Sequence, residues 1–285
     1  MKSAAFSYHA PKSVEAAVAL LGELAPEGAR ILAGGQSLVP IMAFRLAQPA
    51  HLIDINRIAA LTGISVSGTI MTIGAATRHA AFERPPVPGA FGALLADICH
   101  NIAHGPIRTR GTFGGSISHA DPASEWCLLA ATLGATMIAR SPRGERRIPA
   151  SAFFEGIMTT SLAADELLTA IELSVPPAGT HMGFYEYSRR HGDFAIGMTL
   201  ATFRIEAGRI ADPRIGLGGI EPVPRRCPEA EAALLGREAT EAAFAAAAEA
   251  AREAVDPMED GQIDAEYRRD VIAACIRRAL LRCAA

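Results

Sequence analysis

The sequence predicts a mixed chain of helices and strands in more than one structural unit, and three observations carry that expectation. Short apolar runs of strand character alternate with helical segments through the first half, which is the pattern of small packed layers. Pro176-Pro177, with Gly179 just behind, breaks the chain and marks the expected domain boundary. Beyond it, three strand-like runs give way to Ala-rich helical segments.

In order, residues 13–24 read as the first helix, with Ser13 as N-cap, Glu15 in the first turn and Ala17, Leu20, Leu21 and Leu24 on one face. Pro26 and Gly28 end it. Residues 31–33 read as a strand, 38–46 as helical and 52–55 as a second short strand after Pro49. Ser67-Gly68-Thr69 sits between two apolar runs, 64–66 and 70–73, as a hairpin signal. Thr77 is placed to cap a short helix that Pro85-Pro86-Val87-Pro88 closes, and residues 90–104 are strongly helical up to the Gly105-Pro106 stop. A helix over 123–133, a hairpin of 136–139 with 146–148, and a strand over 167–175 complete the first unit. After the boundary come strands at 183–188, 195–205 and 210–216, the last two joined through Glu206-Ala207-Gly208. Helices at 228–235, 239–254 and 265–283 finish the chain.

Two glycine-rich segments carry the functional signal. Ala33-Gly34-Gly35-Gln36-Ser37-Leu38 follows the apolar pair Ile31-Leu32, and Thr112-Phe113-Gly114-Gly115-Ser116 comes much later. Paired glycines can adopt positive φ and leave no Cβ in a ligand's way. Successive N–H groups in such a bend, with Ser37 placed as cap of the next helix, make a site for an anion. Each segment reads as half of a pyrophosphate cradle, with hydroxyl donors from Ser37, Thr112 and Ser116. Neither fits G-x-G-x-x-G or G-x-x-x-x-G-K-[ST], which argues against an ordinary Rossmann or P-loop site.

Composition excludes other classes. At 285 residues, with 50% hydrophobic, 20% charged and a net charge of −3, the chain has an ordinary globular balance and no basic face for nucleic acid. No apolar run is long enough to cross a bilayer, and the N-terminal stretch lacks a signal peptide's apolar centre, so a cytoplasmic protein is expected. The five cysteines are scattered without a C-x-x-C, so free thiols are expected and no metal or iron–sulfur site on this chain. His104 and His119 flank the second glycine segment without partner ligands and read as structural; Asp121, before Pro122, reads as ordering its loop. No catalytic triad or paired carboxylates stand out, so no acid–base catalytic residue is assigned.

Ala33-Gly34-Gly35-Gln36-Ser37-Leu38-Val39-Pro40, with Arg45-Leu46-Ala47 and Pro49, resembles the first signature of the FAD-binding middle subunits of molybdenum hydroxylases, the family of aerobic carbon monoxide dehydrogenase and xanthine dehydrogenase. Gly111 to Ser116 with His119-Ala120-Asp121-Pro122-Ala123-Ser124-Glu125 resembles the second; Ser188-Arg189-Arg190-His191-Gly192-Asp193-Phe194-Ala195 resembles a third, and Tyr267-Arg268-Arg269 also fits. The resemblance implies an α+β fold: a two-subdomain PCMH-type (vanillyl-alcohol-oxidase-like) FAD-binding domain over 1–176, divided at about 56/57, then a C-terminal antiparallel sheet with helices over 180–285. It implies FAD contacts from Ile31, Leu32, Ala33, Gly34, Gly35, Gln36, Ser37 and Leu38, and from Thr112, Gly114, Gly115 and Ser116. Glu125 stands where the family has an Asp on the ribityl or ribose hydroxyls; its plain alternative is a first-turn helix acid. Ile102 and Leu168 align with apolar positions on the flavin or adenine, or are simple core. Tyr185 replaces a Lys that xanthine dehydrogenase relatives carry near the flavin, and Arg189, Arg190 and Asp193 form an ion-pair cluster either at the cofactor mouth or in solvent.

The function implied is an electron-transfer subunit. Its FAD would take electrons from [2Fe–2S] clusters on a small subunit, fed by a molybdopterin centre on a large subunit, and pass them to NAD⁺, a quinone or another acceptor, in a dimer of heterotrimers. Two other readings stay open at this point: a stand-alone FAD oxidoreductase of vanillyl-alcohol-oxidase type, and a flavin-free scaffold or assembly subunit.

Overall fold

The computed structural model describes residues 2–284. The chain opens with β1 (Ser7–His9), α1 (Val14–Leu24), β2 (Ala29–Leu32), α2 (Leu38–Ala43) and β3 (His51–Asp54). The three strands form one parallel sheet in the order β1-β3-β2. Helix α1 starts where expected because the Ser13 side chain accepts from Ala16 N, and its buried face, Val14, Ala17, Leu21 and Leu24, packs on Ile53 and Ile55.

Next come β4 (Ile64–Ser67), β5 (Ile70–Gly74), α3 (Gly89–Asn101), α4 (Gly105–Arg108), α5 (Phe113–His119), α6 (Glu125–Leu133), β6 (Thr136–Ser141) and β7 (Gly144–Pro149). A small hairpin, β8 (Phe154–Gly156) with β9 (Thr159–Thr160), precedes β10 (Leu167–Ser174). The antiparallel order β4-β5-β10-β6-β7 places β10 at the centre, which suits a run buried at five of its eight positions. Its inner face carries Met71, Ile73, Met137 and Ile171 against Phe82, Phe113 and Trp126.

Beyond Pro177, β11 (His181–Tyr187), β12 (Gly197–Glu206), β13 (Arg209–Gly218) and β14 (Arg225–Arg226) make a second antiparallel sheet in chain order. Ala207 and Gly208 both have positive φ, 49° and 77°, the turn that closes a two-residue hairpin in the twist of its strands. Helices α7 (Pro228–Leu234), α8 (Glu241–Ala254) and α9 (Ala265–Ala284) cover one face of this sheet around Phe203, Phe244, Ile272 and Ile276. The other face enters the first domain: Phe184, Met198 and Leu200 share one apolar core with α3 and α6. Arg268 of α9, 7% exposed, donates to Ile196 O at 3.1 Å and Gly219 O at 2.8 Å and pairs with Asp260 at 2.9 Å.

Three local expectations are corrected. Thr77 does not cap a helix: its hydroxyl exchanges hydrogen bonds with Gly63, and a 3₁₀ turn at His79–Phe82 starts from Arg78 without a side-chain cap. Ser37 has helical backbone angles, φ −103° and ψ −49°, not the extended ones a cap requires, and makes no capping bond. The helix it precedes ends at Ala43, not at 46.

Candidate functional site

A cavity of about 820 Å³ lies where the parallel sheet, the starts of α5 and α6, the β8–β9 hairpin and an arm of the C-terminal domain converge. Both glycine segments line it.

In the first segment, Gly35 has φ +71°, a left-handed conformation that a side chain would strain. Gly34 must be glycine for another reason: a Cβ there would stand 2.4 Å from Arg110 O and 2.6 Å from the Cα of Gly111. The approach to the second segment therefore runs in backbone contact with the first. The Gly34 carbonyl accepts from Gln36 Nε2 at 3.0 Å, and the helical turn starts with Val39 N to Gly35 O at 3.1 Å. Among the described hydrogen bonds, the N–H groups of Gly34, Gly35, Gln36, Ser37 and Leu38 have no protein acceptor. Five successive unpaired donors at a cavity wall form a nest that an anion satisfies.

The second segment is built differently from the expectation. Residues 113–119 are helical, and their first amides are already used: Phe113 N donates to Thr77 O at 2.8 Å, Gly114 N to Ala75 O at 2.9 Å and Gly115 N to the Thr112 side chain at 3.1 Å. It presents a wall without Cβ atoms rather than a second nest. Gly114 lies flat on Ala75, where a Cβ would meet heavy atoms at 2.5 Å. Ser116 Oγ lies 2.8 Å from Ser124 Oγ, which in turn caps α6.

The remaining expected residues divide. Ile31, Ala33, Leu38, Ile102 and Leu168 line the cavity with Glu125. Leu32 does not, and neither does Tyr185. The Tyr185 hydroxyl is bonded to Arg278, and the Arg278 and Arg282 guanidiniums both lie over its ring, at 4.9 and 5.1 Å, because β alternation turns it toward α9. Asp121 orders its loop, accepting from Ala123 N at 2.9 Å, and lines the cavity too. His119 lines the cavity; His104 lies against Gly192, whose added Cβ would meet its ring at 2.5 Å. Arg190 pairs with Asp193 at 3.3 Å, and Gly192, Asp193 and Phe194 reach the cavity wall. No group of His, Cys, Asp and Glu able to hold a metal occurs among the described residues.

Electrostatics single out two carboxylates and one imidazole. Burial pushes Glu125 up to about 7, with help from Asp121. Glu186 of β11 is pushed up further, by burial and by Glu125, and its Oε2 is buried without a partner. His79, held down to about 4 by burial and by Arg78 and Arg108, is neutral; its Nδ1 accepts from Trp126 Nε1 at 3.0 Å. Burial also raises the thiols: Cys99, Cys127 and Cys275 to about 12 and Cys227 to about 11. His79 and Phe194 were not found from the sequence. Phe194 stands in a motif that the sequence showed, yet only the fold brings it to the cavity, where the residue is 77% exposed.

A family model described as FAD binding domain in molybdopterin dehydrogenase matches residues 4–176, and one described as CO dehydrogenase flavoprotein C-terminal domain matches 183–283. The chain belongs to this FAD-binding family. Among its relatives, the carbon monoxide dehydrogenase medium chain of Hydrogenophaga pseudoflava is 38% identical over 96% of both chains. The caffeine dehydrogenase subunit beta of Pseudomonas sp. strain CBB1 is 37% identical, over 100% of this chain and 96% of the relative. A chain of quinoline 2-oxidoreductase from Pseudomonas putida 86 superposes with a TM-score of 0.94 at 37% identity, covering 100% of this chain and 98% of that one. The relatives are subunits of dehydrogenases, and this member of the family is likewise an oxidoreductase subunit. The site suits the family's cofactor: a donor nest without steric bulk for phosphates, apolar walls at Ile102 and Leu168 for aromatic rings, and Glu125, Ser37 and Ser116 for hydroxyls.

Proposed function

We propose that this chain is the FAD-binding electron-transfer subunit of a multi-subunit molybdenum hydroxylase. The FAD, when bound, supplies the redox chemistry that links [2Fe–2S] clusters on a small partner subunit to an external acceptor such as NAD⁺ or a quinone. The molybdopterin centre belongs to a large partner subunit, and the assembly is a dimer of heterotrimers in the cytoplasm. No helix among the described residues is long and apolar enough to cross a membrane.

The observation that carries this reading is the run of unpaired amides from Gly34 to Leu38, set against the Cβ-free wall of the second glycine segment. The amides hold the diphosphate; Gly114 lets its helix pack flat on Ala75, and Gly115 keeps the gap toward Ala33 free of a side chain. Ser37 and Ser116 add hydroxyls, Glu125 accepts from sugar or ribityl hydroxyls, and Ile102 and Leu168 exclude water from the ring systems. Phe194 offers an aromatic face from the C-terminal domain. Two PCMH-type subdomains, 1–56 and 57–176, thus form the cofactor domain, and 180–285 closes it.

The test is the visible spectrum of the purified full chain. Flavin absorption bands, released as FAD on denaturation, are the expected result. A colourless protein that takes up no flavin when soaked in FAD overturns the reading and leaves the scaffold. Turnover of a small donor by the chain alone would instead identify a stand-alone oxidase.

A further inference from the structure

Two carbonyls flank the point where the glycine segments meet. One belongs to Ala33, just before Gly34; the other belongs to Arg110, just before Gly111, and is the oxygen that a Cβ on Gly34 would strike. A side-chain strap joins them. Asn56 Nδ2 donates to Ala33 O at 2.7 Å, Asn56 Oδ1 accepts from Arg78 Nη2 at 2.6 Å, and Arg78 Nη1 donates to Arg110 O. Asp54 fixes the strap's near end: its Oδ1 accepts from Asn56 N at 2.8 Å and from Asn56 Nδ2 at 2.6 Å, and its Oδ2 accepts from Tyr8 OH at 2.5 Å. The far end is fixed by main chain, since Arg78 and Thr112 form an isolated antiparallel bridge.

Arg78 therefore spends its guanidinium fork on a carbonyl and an amide. It pairs directly with no carboxylate among the described residues; Asp54 attracts it from a longer distance while the Arg110 charge repels it. A half-buried arginine in such a place is suited to holding geometry, because a planar fork can span two acceptors as an ammonium cannot.

We infer that Arg78 and Asn56 are positioning residues: they set the spacing between the amide nest and the Cβ-free wall, and so the fit of the diphosphate half of the cofactor. The inference rests on the diphosphate reading of the cavity. Neither side chain is among the residues lining the cavity, so both act through the loops.

The experiment titrates the deflavinated full chain with FAD, with ADP and with riboflavin, which lacks the diphosphate. In Arg78→Gln and Asn56→Ala, the Kd for FAD and for ADP rises about tenfold, as expected for a lost hydrogen bond to a charged group, while that for riboflavin is unchanged. The double variant loses no more than either single one, because both break the same strap. Arg78→Lys, the variant least disruptive to folding, keeps the charge but recovers little. Equal losses for ADP and riboflavin, unchanged FAD binding, or full recovery in Arg78→Lys would each overturn the strap. Failure of the parent chain to bind FAD would overturn the proposed function instead.

Discussion

Gly34 is the residue at which the site is least tolerant. Its neighbours at 2.4 and 2.6 Å are backbone atoms of the other segment, so no side chain can rotate aside. Gly34→Val forces the segments apart at a cost of about 1–3 kcal/mol, the range for overpacking, and FAD affinity falls about tenfold to a hundredfold. Flavin absorbance per mole of protein checks this. Glu125 is the residue that responds to pH. Its folded pKa, about 7, lies above its ordinary 4.5. Between those values the folded state keeps a proton that the unfolded state releases, so stability falls as pH rises through that window, and Glu186 extends the fall upward. Melting temperatures of the flavin-free chain at pH 5 and pH 8 show this decline, and it flattens in Glu125→Gln combined with Glu186→Gln. A decline of the same size in the double variant would place its origin elsewhere.

At the scale of elements, α5 shows how a short motif serves both fold and site. Thr112, 2% exposed, accepts from Gly115 N, which holds the Gly-Gly pair in helical rather than loop form. Thr112→Ala removes that cap, lowering stability by about 1 kcal/mol and weakening FAD binding with it, as denaturant melts and titration would show. The same element marks where sequence reading stops. Helix α1 was legible because its cap and its apolar face lie within one dozen residues, and the β12–β13 hairpin because its turn is local. Strand β1 was not, since three residues with an exposed Tyr8 become a strand only by pairing with His51–Ile53. Residues 113–119 read as a loop because glycines disfavour helix; Thr77 O and Ala75 O override that by holding the first turn. For the site, the glycine segments and Glu125 were visible as motifs. Leu32 and Tyr185 lie outside the cavity lining, because adjacent strand positions face opposite ways. Asn56 and Arg78 carry no local signature at all, for their role exists only where two distant carbonyls meet, and His79 gains its place only by packing against Trp126, 47 positions away.

In the whole molecule, the sheet beyond Pro177 is continuous with the first domain's core. Phe184, Met198 and Leu200 pack with the apolar side chains of α3 and α6. The shared core predicts that the two domains unfold together. Fluorescence of the single tryptophan, Trp126, fully buried in the first domain, should melt at the same temperature as the far-ultraviolet circular dichroism of the whole chain. Two separated transitions would show that the shared core contributes little.

The arm that carries Gly192, Asp193 and Phe194 to the cavity has a bearing on how the protein matures. A ribosome delivers this arm only after both glycine segments have emerged. Until then the pocket lacks one side, and a nucleotide can enter from the direction that the arm later covers. On the FAD reading, chains made in riboflavin-starved cells are expected to carry less flavin after purification than chains made in fed cells, and absorbance per mole of protein checks this.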